Sequence, residues 1–145
     1  MTTVLFACVQ NAGRSQMAAA LFNALADPAV ARAISAGTRP AGAVHPEVVQ
    51  VLAERGLDVS SRTPTLLTDA LAREAQVLVT MGCGDACPVV PGARVLDWPL
   101  PDPHGRSLAE VRAIRDEVER RVRALLVELG ARPGKGPSRG GPDSP

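Results

Sequence analysis

The chain alternates between short continuous apolar runs and longer stretches in which apolar residues recur at helical spacing. Thr3 to Ala7 (TVLFA) is apolar and partly β-branched, as a buried strand requires. Met17, Leu21, Phe22 and Leu25 follow at helical spacing, so a helix is expected to begin at about Arg14 and to stop at Asp27-Pro28. Ala31 to Ala36, closed by Gly37, reads as a second strand. His45-Pro46 opens another helix, with Pro46 at the first-turn position where its missing N–H costs nothing. Val49, Leu52 and Ala53 are expected to point inward from it, and Gly56 to end it. A short helix over Leu66 to Arg73, a strand over Gln76 to Met81 (QVLVTM) and a strand over Arg94 to Trp98 follow.

The last helix is the most fully specified. Ser107 and Glu110 form an S-x-x-E capping box, after which Leu108, Val111, Ile114, Val118, Val122, Leu125 and Leu129 mark one face. Asp116–Arg120, Glu117–Arg121 and Glu119–Arg123 are acid-first i,i+4 pairs on what is expected to be a solvated face, and Gly130 suits the C-terminal stop. Strands alternating with helices predict a parallel sheet in a three-layer α/β/α domain. That domain is expected to span residues 1–130. Residues 131–145 (ARPGKGPSRGGPDSP) carry no apolar anchors and are expected to form a disordered C-terminal tail.

Composition narrows the function classes. A net charge of +1 points to no nucleic acid and no anionic membrane surface. No apolar run approaches the length of a membrane span, and no signal-peptide pattern opens the chain. A cytoplasmic monomer is the expectation. Three cysteines cannot all pair within one chain, so chemistry is a better use for them than a disulfide framework. Aromatic rings are scarce: Trp98, Phe6 and Phe22, with no tyrosine, leave little to grip a flat substrate.

The chemistry lies directly after the first strand, in Cys8-Val9-Gln10-Asn11-Ala12-Gly13-Arg14-Ser15. A strand, a tight loop and a helix N-terminus in series aim several backbone N–H groups at one point. Asn11 tolerates positive φ, and Gly13 is expected to permit a backbone conformation that a Cβ would resist. Arg14 supplies a planar, two-pronged clamp for a tetrahedral oxyanion. The same field favours the thiolate form of Cys8, and Ser15 can donate its hydroxyl to it. The loop therefore binds an oxyanion and aims a nucleophile at its central atom.

This C-x5-R-S pattern after an N-terminal strand resembles the low-molecular-weight protein tyrosine phosphatase fold, and the longer string CVQNAGRSQMA resembles the arsenate reductases within it. The resemblance covers roughly residues 2 to 129. It implies a four-stranded parallel sheet in the order 2-1-3-4, with the loop at the carboxyl edge of strand 1. It implies that Asp102, in Pro101-Asp102-Pro103, is the general acid that protonates the leaving oxygen. It also implies a thiol relay. Cys8 attacks arsenate, Cys83 attacks the Cys8 sulfur and releases arsenite, and Cys87 takes over the disulfide. No bound cofactor is implied. The reductant is an external thiol: thioredoxin, or glutaredoxin with a small thiol such as glutathione or mycothiol.

The chain departs from its relatives in places. Cys83 and Cys87 are separated by three residues where a longer gap is common, so direct attack by a small thiol on the arseno-cysteine stays open. Ala19 stands where relatives often carry an acid, so no cation site using that acid, and no metal, is expected. His104 and Gly105 follow Asp102-Pro103 where phosphotyrosine phosphatases commonly carry aromatics. His45 and His104 are expected at surface or capping positions. Two rival functions remain: a tyrosine or small-molecule phosphatase of the same fold, and a non-catalytic thiol binder of arsenite or zinc.

Overall fold

The computed structural model describes residues 1–82 and 92–132. Strand β1 (Thr2–Cys8) runs into helix α1 (Arg14–Leu25), followed by β2 (Ala31–Gly37) and α2 (Pro46–Ala53). A short helix α3 (Asp69–Ala72), strands β3 (Val77–Thr80) and β4 (Arg94–Asp97), and the long helix α4 (Leu108–Leu129) complete the chain. The four strands are all parallel, in the order β2-β1-β3-β4. This is the α/β architecture that the alternation and the resemblance both implied.

β1 is central because its residues are apolar on both faces. Val4, Phe6 and Cys8 face a large cluster that includes Met17, Phe22, Val48, Leu52, Val118 and Val122 from α1, α2 and α4. Leu5 and Ala7 face a smaller cluster with Ala36, Leu78 and Ala72, the last from α3. Each large apolar side chain so buried contributes about 1.5–3 kcal/mol. The Phe6 ring packs against Phe22 at 5.9 Å and Trp98 at 5.5 Å, so all three aromatic rings are in the core.

The capping box forms as read: the Ser107 hydroxyl accepts from Glu110 N–H at 3.2 Å, and Ser107 N–H donates to the Glu110 carboxylate at 3.1 Å. Gly130 ends α4 with φ 69°. Four expectations need correction. The short helix covers only Asp69–Ala72, and Leu66 instead forms a bridge with Gly37. In α2 the inward residues are Val48, Val51 and Leu52, with Val49 half-buried and Ala53 exposed, and the helix ends at Ala53, three residues before Gly56. The charged face of α4 is not simply solvated. Arg115 is buried against Val51 O (2.9 Å) and Glu54 (2.7 Å), and Asp116 pairs with Arg55 rather than Arg120. Long side chains with apolar stems can line such an interface while their charged ends stay paired. Finally, Ala131 is fully buried and its carbonyl accepts from Asp27 N–H at 2.9 Å, so packing continues one residue past the expected boundary. The tail from residue 133 lies outside the described residues. Among the described residues no helix is long and apolar enough to cross a membrane.

Candidate active site

The cysteine loop sits at the carboxyl edge of β1, and its carbonyls point outward. Those of Cys8, Val9, Gln10 and Ala12 accept from the N–H groups of Thr38, Arg39, Ala41 and His45 at 2.8–3.2 Å. That of Asn11 accepts from Gln16 Nε2 at 3.1 Å. With the carbonyls committed to the segment after β2, the opposite side of the loop presents N–H groups and the N-terminus of α1, a cradle for negative charge. Asn11 adopts φ 50° and is the only positive-φ residue other than glycine among those described. Gly13 has φ −136° and ψ −94°, neither helical nor extended. A Cβ there would stand 2.7 Å from Pro103 Cγ.

The hydrogen-bond direction at Cys8 can be traced from a fixed donor. The backbone N–H of Thr65 donates to Asn11 Oδ1 at 2.8 Å, which fixes which end of that amide carries the nitrogen. Asn11 Nδ2 then donates to Ser15 Oγ at 2.7 Å. The Ser15 hydroxyl hydrogen is thus free for the Cys8 sulfur, 2.8 Å away, and the Asn11 N–H adds a second donor at 3.3 Å. The Ser15 hydroxyl and the Asn11 N–H thus both face a buried sulfur, 2 % exposed.

Arg14 and Asp102 stand at the mouth. Arg14 Nη1 donates to Leu100 O at 3.0 Å, and Nη2 lies 4.0 Å from Asp102 Oδ2. Asp102 is half-exposed, and its Oδ1 accepts from His104 N–H at 3.0 Å, which turns the other oxygen toward Arg14. Cys8, Arg14, Asp102 and the loop residues Val9 to Ser15 are therefore brought together. Cys83 and Cys87 lie outside the described residues. Gly82, the residue before Cys83, has φ 98° and lies against the Arg14 guanidinium.

Sequence reading missed several contributors. Thr65 and Gln16 hold Asn11, and nothing local marks the Thr65 contact. Gly37 is fixed by the loop itself, since a Cβ there would stand 2.5 Å from Val9 O and 2.8 Å from Asn11 N. His45 does precede α2, yet its side chain makes no cap and is not at the surface. It is 8 % exposed, with its ring against that of His104 at 4.3 Å and Nε2 3.1 Å from Gln10 Oε1. Among the described residues no group of three or more His, Cys, Asp or Glu side chains is placed to hold a metal ion.

Residues 3–134 match the model of the low molecular weight phosphotyrosine protein phosphatase family. A putative arsenate reductase of Halobacterium salinarum is 40 % identical over 130 residues, covering 86 % of this chain and 90 % of that protein. The glutaredoxin arsenate reductase of a Synechocystis species is 33 % identical, covering 89 % of this chain and 99 % of that protein. Among solved structures, the thioredoxin-dependent arsenate reductase of Corynebacterium glutamicum superposes with a TM-score of 0.78 at 40 % identity. That match covers 90 % of this chain, which spans only 62 % of the Corynebacterium chain. With its cysteine loop, its parallel sheet and these relatives, the chain belongs to the low molecular weight phosphotyrosine protein phosphatase family, among the arsenate reductases.

Proposed function

We propose that the chain reduces arsenate to arsenite, with Cys8 as nucleophile, Arg14 and the loop N–H groups as the oxyanion cradle, and Asp102 as proton donor. The observation that carries this reading is the pair of groups at the Cys8 sulfur at the head of α1, the Ser15 hydroxyl at 2.8 Å and the Asn11 N–H at 3.3 Å. The Cys8 thiolate attacks arsenic. A sulfur–arsenic bond forms, the bond from arsenic to one hydroxyl breaks, and that hydroxyl leaves as water with the proton from Asp102. A second thiol then attacks the Cys8 sulfur. The new disulfide forms as the sulfur–arsenic bond breaks, and that bond's electron pair stays on arsenic, which departs as arsenite. Arsenic is reduced and two thiols are oxidised, so the electrons balance.

Cys83 serves as the second thiol and Cys87 takes over the disulfide. Support comes from the three-cysteine inventory and from Gly82, which lies against Arg14 immediately before Cys83. An external thiol protein of the thioredoxin or glutaredoxin type, the latter with glutathione or mycothiol, restores the thiols. Working thiols require a reducing compartment, and we assign the chain to the cytoplasm, acting as a monomer. The phosphatase reading is weaker, because Phe6, Phe22 and Trp98 are all packed in the core and none walls the mouth for an aryl ring. Steady-state turnover of arsenate against p-nitrophenyl phosphate, with each reductant system supplied in turn, tests the reading. Arsenite release that depends on a thiol system is expected. Hydrolysis of the aryl phosphate without any arsenate reduction would overturn it.

A further inference from the structure

We propose that His45 is a positioning residue for this reaction, joining the cysteine loop to the loop that carries Asp102 and thereby fixing where the acid stands. The proposal rests on the reading of Asp102 as proton donor. It also stands on contacts that need no such reading.

His45 touches both partners. Toward the cysteine loop, its backbone N–H donates to Ala12 O at 3.0 Å, and its Nε2 lies within hydrogen-bond distance of Gln10 Oε1, at 3.1 Å. A Cβ on Gly13 would lie 3.5 Å from His45 Cδ2 and 2.7 Å from Pro103 Cγ, so the cysteine loop, His45 and the acid loop meet at this glycine. Toward the acid loop, the His45 ring packs on His104 with centroids 4.3 Å apart and planes tilted by 35°. In the first turn of α2, Glu47 Oε2 accepts from Gly105 N–H at 3.2 Å and pins the same loop a second time. Asp102 has no burial of its own to hold it. Its carboxylate is half-exposed and is held by His104 N–H and the distant Arg14 contact, while Arg106 Nε donates to its carbonyl at 2.7 Å, so its position follows that of the loop the His45–His104 contact anchors.

The contact is sensitive to protonation. The titratable groups facing His45 are Glu47 on its own helix and Asp102 and His104 on the opposing loop, while the cysteine loop offers only the neutral amide of Gln10. Burial first, then the neighbouring His104, holds the His45 imidazole below its ordinary value, against the opposite pull of Glu47 and Asp102. Two charged imidazoles in contact repel each other. Acid therefore loosens the stack and frees the Asp102 loop.

The test uses the whole chain and the variants H45Q, H104A and H104F. In H45Q and H104A, kcat for arsenate is expected to fall about tenfold, part of the ~10²–10⁴-fold that a positioned acid supplies. KM should move less than about twofold. Neither variant should lower kcat further in a D102N background, since the lost function is the same one. H104F keeps a ring for stacking and should retain most of the wild-type kcat. By NMR, the backbone amides of His104 and Gly105 should follow the titration of His45 in the wild type and cease to do so in H45Q. Losses that add to that of D102N, or amides whose pH response is unchanged in H45Q, would overturn the proposal. A wild type that turns over no arsenate would sink the functional reading alone, and the amide titration would still decide the coupling.

Discussion

Gly82 and Arg14 fit together without room for a methyl group. A Cβ on Gly82 would stand 3.0 Å from Arg14 Cζ and 3.3 Å from Nη2, and closer still to Nη1, while φ at Gly82 is 98°. Gly82, the residue before Cys83, and Arg14 are therefore one packing unit. A glycine here serves two needs at once: the left-handed backbone and the close approach.

Replacing Gly82 by alanine is therefore expected to displace the Arg14 guanidinium and weaken oxyanion binding at least tenfold, in line with the ~10²-fold or larger losses seen when a preorganised donor is removed. Calorimetric titration with sulfate checks this. An unchanged sulfate affinity in Gly82→Ala would show that Arg14 does not need this contact.

Asn11 is the second point of tight specification. Its side chain bonds Ser15, Thr65 N–H and Gln16 while its backbone holds φ 50°. Asn11→Ala should lose about 2–3 kcal/mol of stability through buried groups left unpaired, read as a shift in the urea midpoint. Asn11→Gly relieves the backbone but not the bonds, so it should recover only the smaller, conformational part.

Much of this architecture was legible in the residues and some of it was not. The capping box at Ser107 and Glu110, the start of α1 at Arg14 and the C-x5-R spacing depend on neighbours in sequence, which local pattern reports directly. The roles of Thr65, Gly37 and His45 depend on segments meeting only after the sheet is assembled. Nothing around Thr65 announces that its N–H orients the Asn11 amide beside Cys8 and Ser15. Periodicity also failed where a polar group is buried. Arg115 sits in the α2–α4 interface because Glu54 and Val51 O receive it, and a hydropathy pattern counts it as surface.

That interface gives a pH prediction. Hydrogen bonds from Arg112 and then Arg115 hold the Glu54 carboxyl down from 4.5 to about 2. A depressed carboxylate stabilises the fold at pH values above its unfolded value and loses that contribution as pH falls toward the folded one. The melting temperature should therefore drop between about pH 4.5 and pH 2. Glu54→Gln should melt lower than the wild type at neutral pH, and the two curves should converge in acid. Because Glu54 is solvent-facing, high salt should shrink the difference. Parallel curves with no convergence would remove Glu54 from the account.

The relay makes a separate claim. Cys83→Ser is expected to complete at most one arsenate turnover and stall with Cys8 modified. Cys87→Ser should pass one step further and accumulate a Cys8–Cys83 disulfide, seen by non-reducing peptide mapping. Normal turnover of Cys87→Ser with a small thiol and a glutaredoxin-type partner would replace the internal relay by external thiol attack.

The central claim is that Cys8 is the nucleophile that takes oxygen from arsenate, and the most direct measurement is arsenate turnover by Cys8→Ser. Sulfate should still raise the variant's melting temperature, since the loop and Arg14 remain, which shows that the fold and cradle survive. Its arsenate turnover should fall by ~10²-fold or more, because a serine hydroxyl is neither ionised nor able to carry the electrons. A Cys8→Ser protein that binds sulfate and keeps more than about a tenth of the wild-type rate, well short of that ~10²-fold loss, would contradict the account at its base.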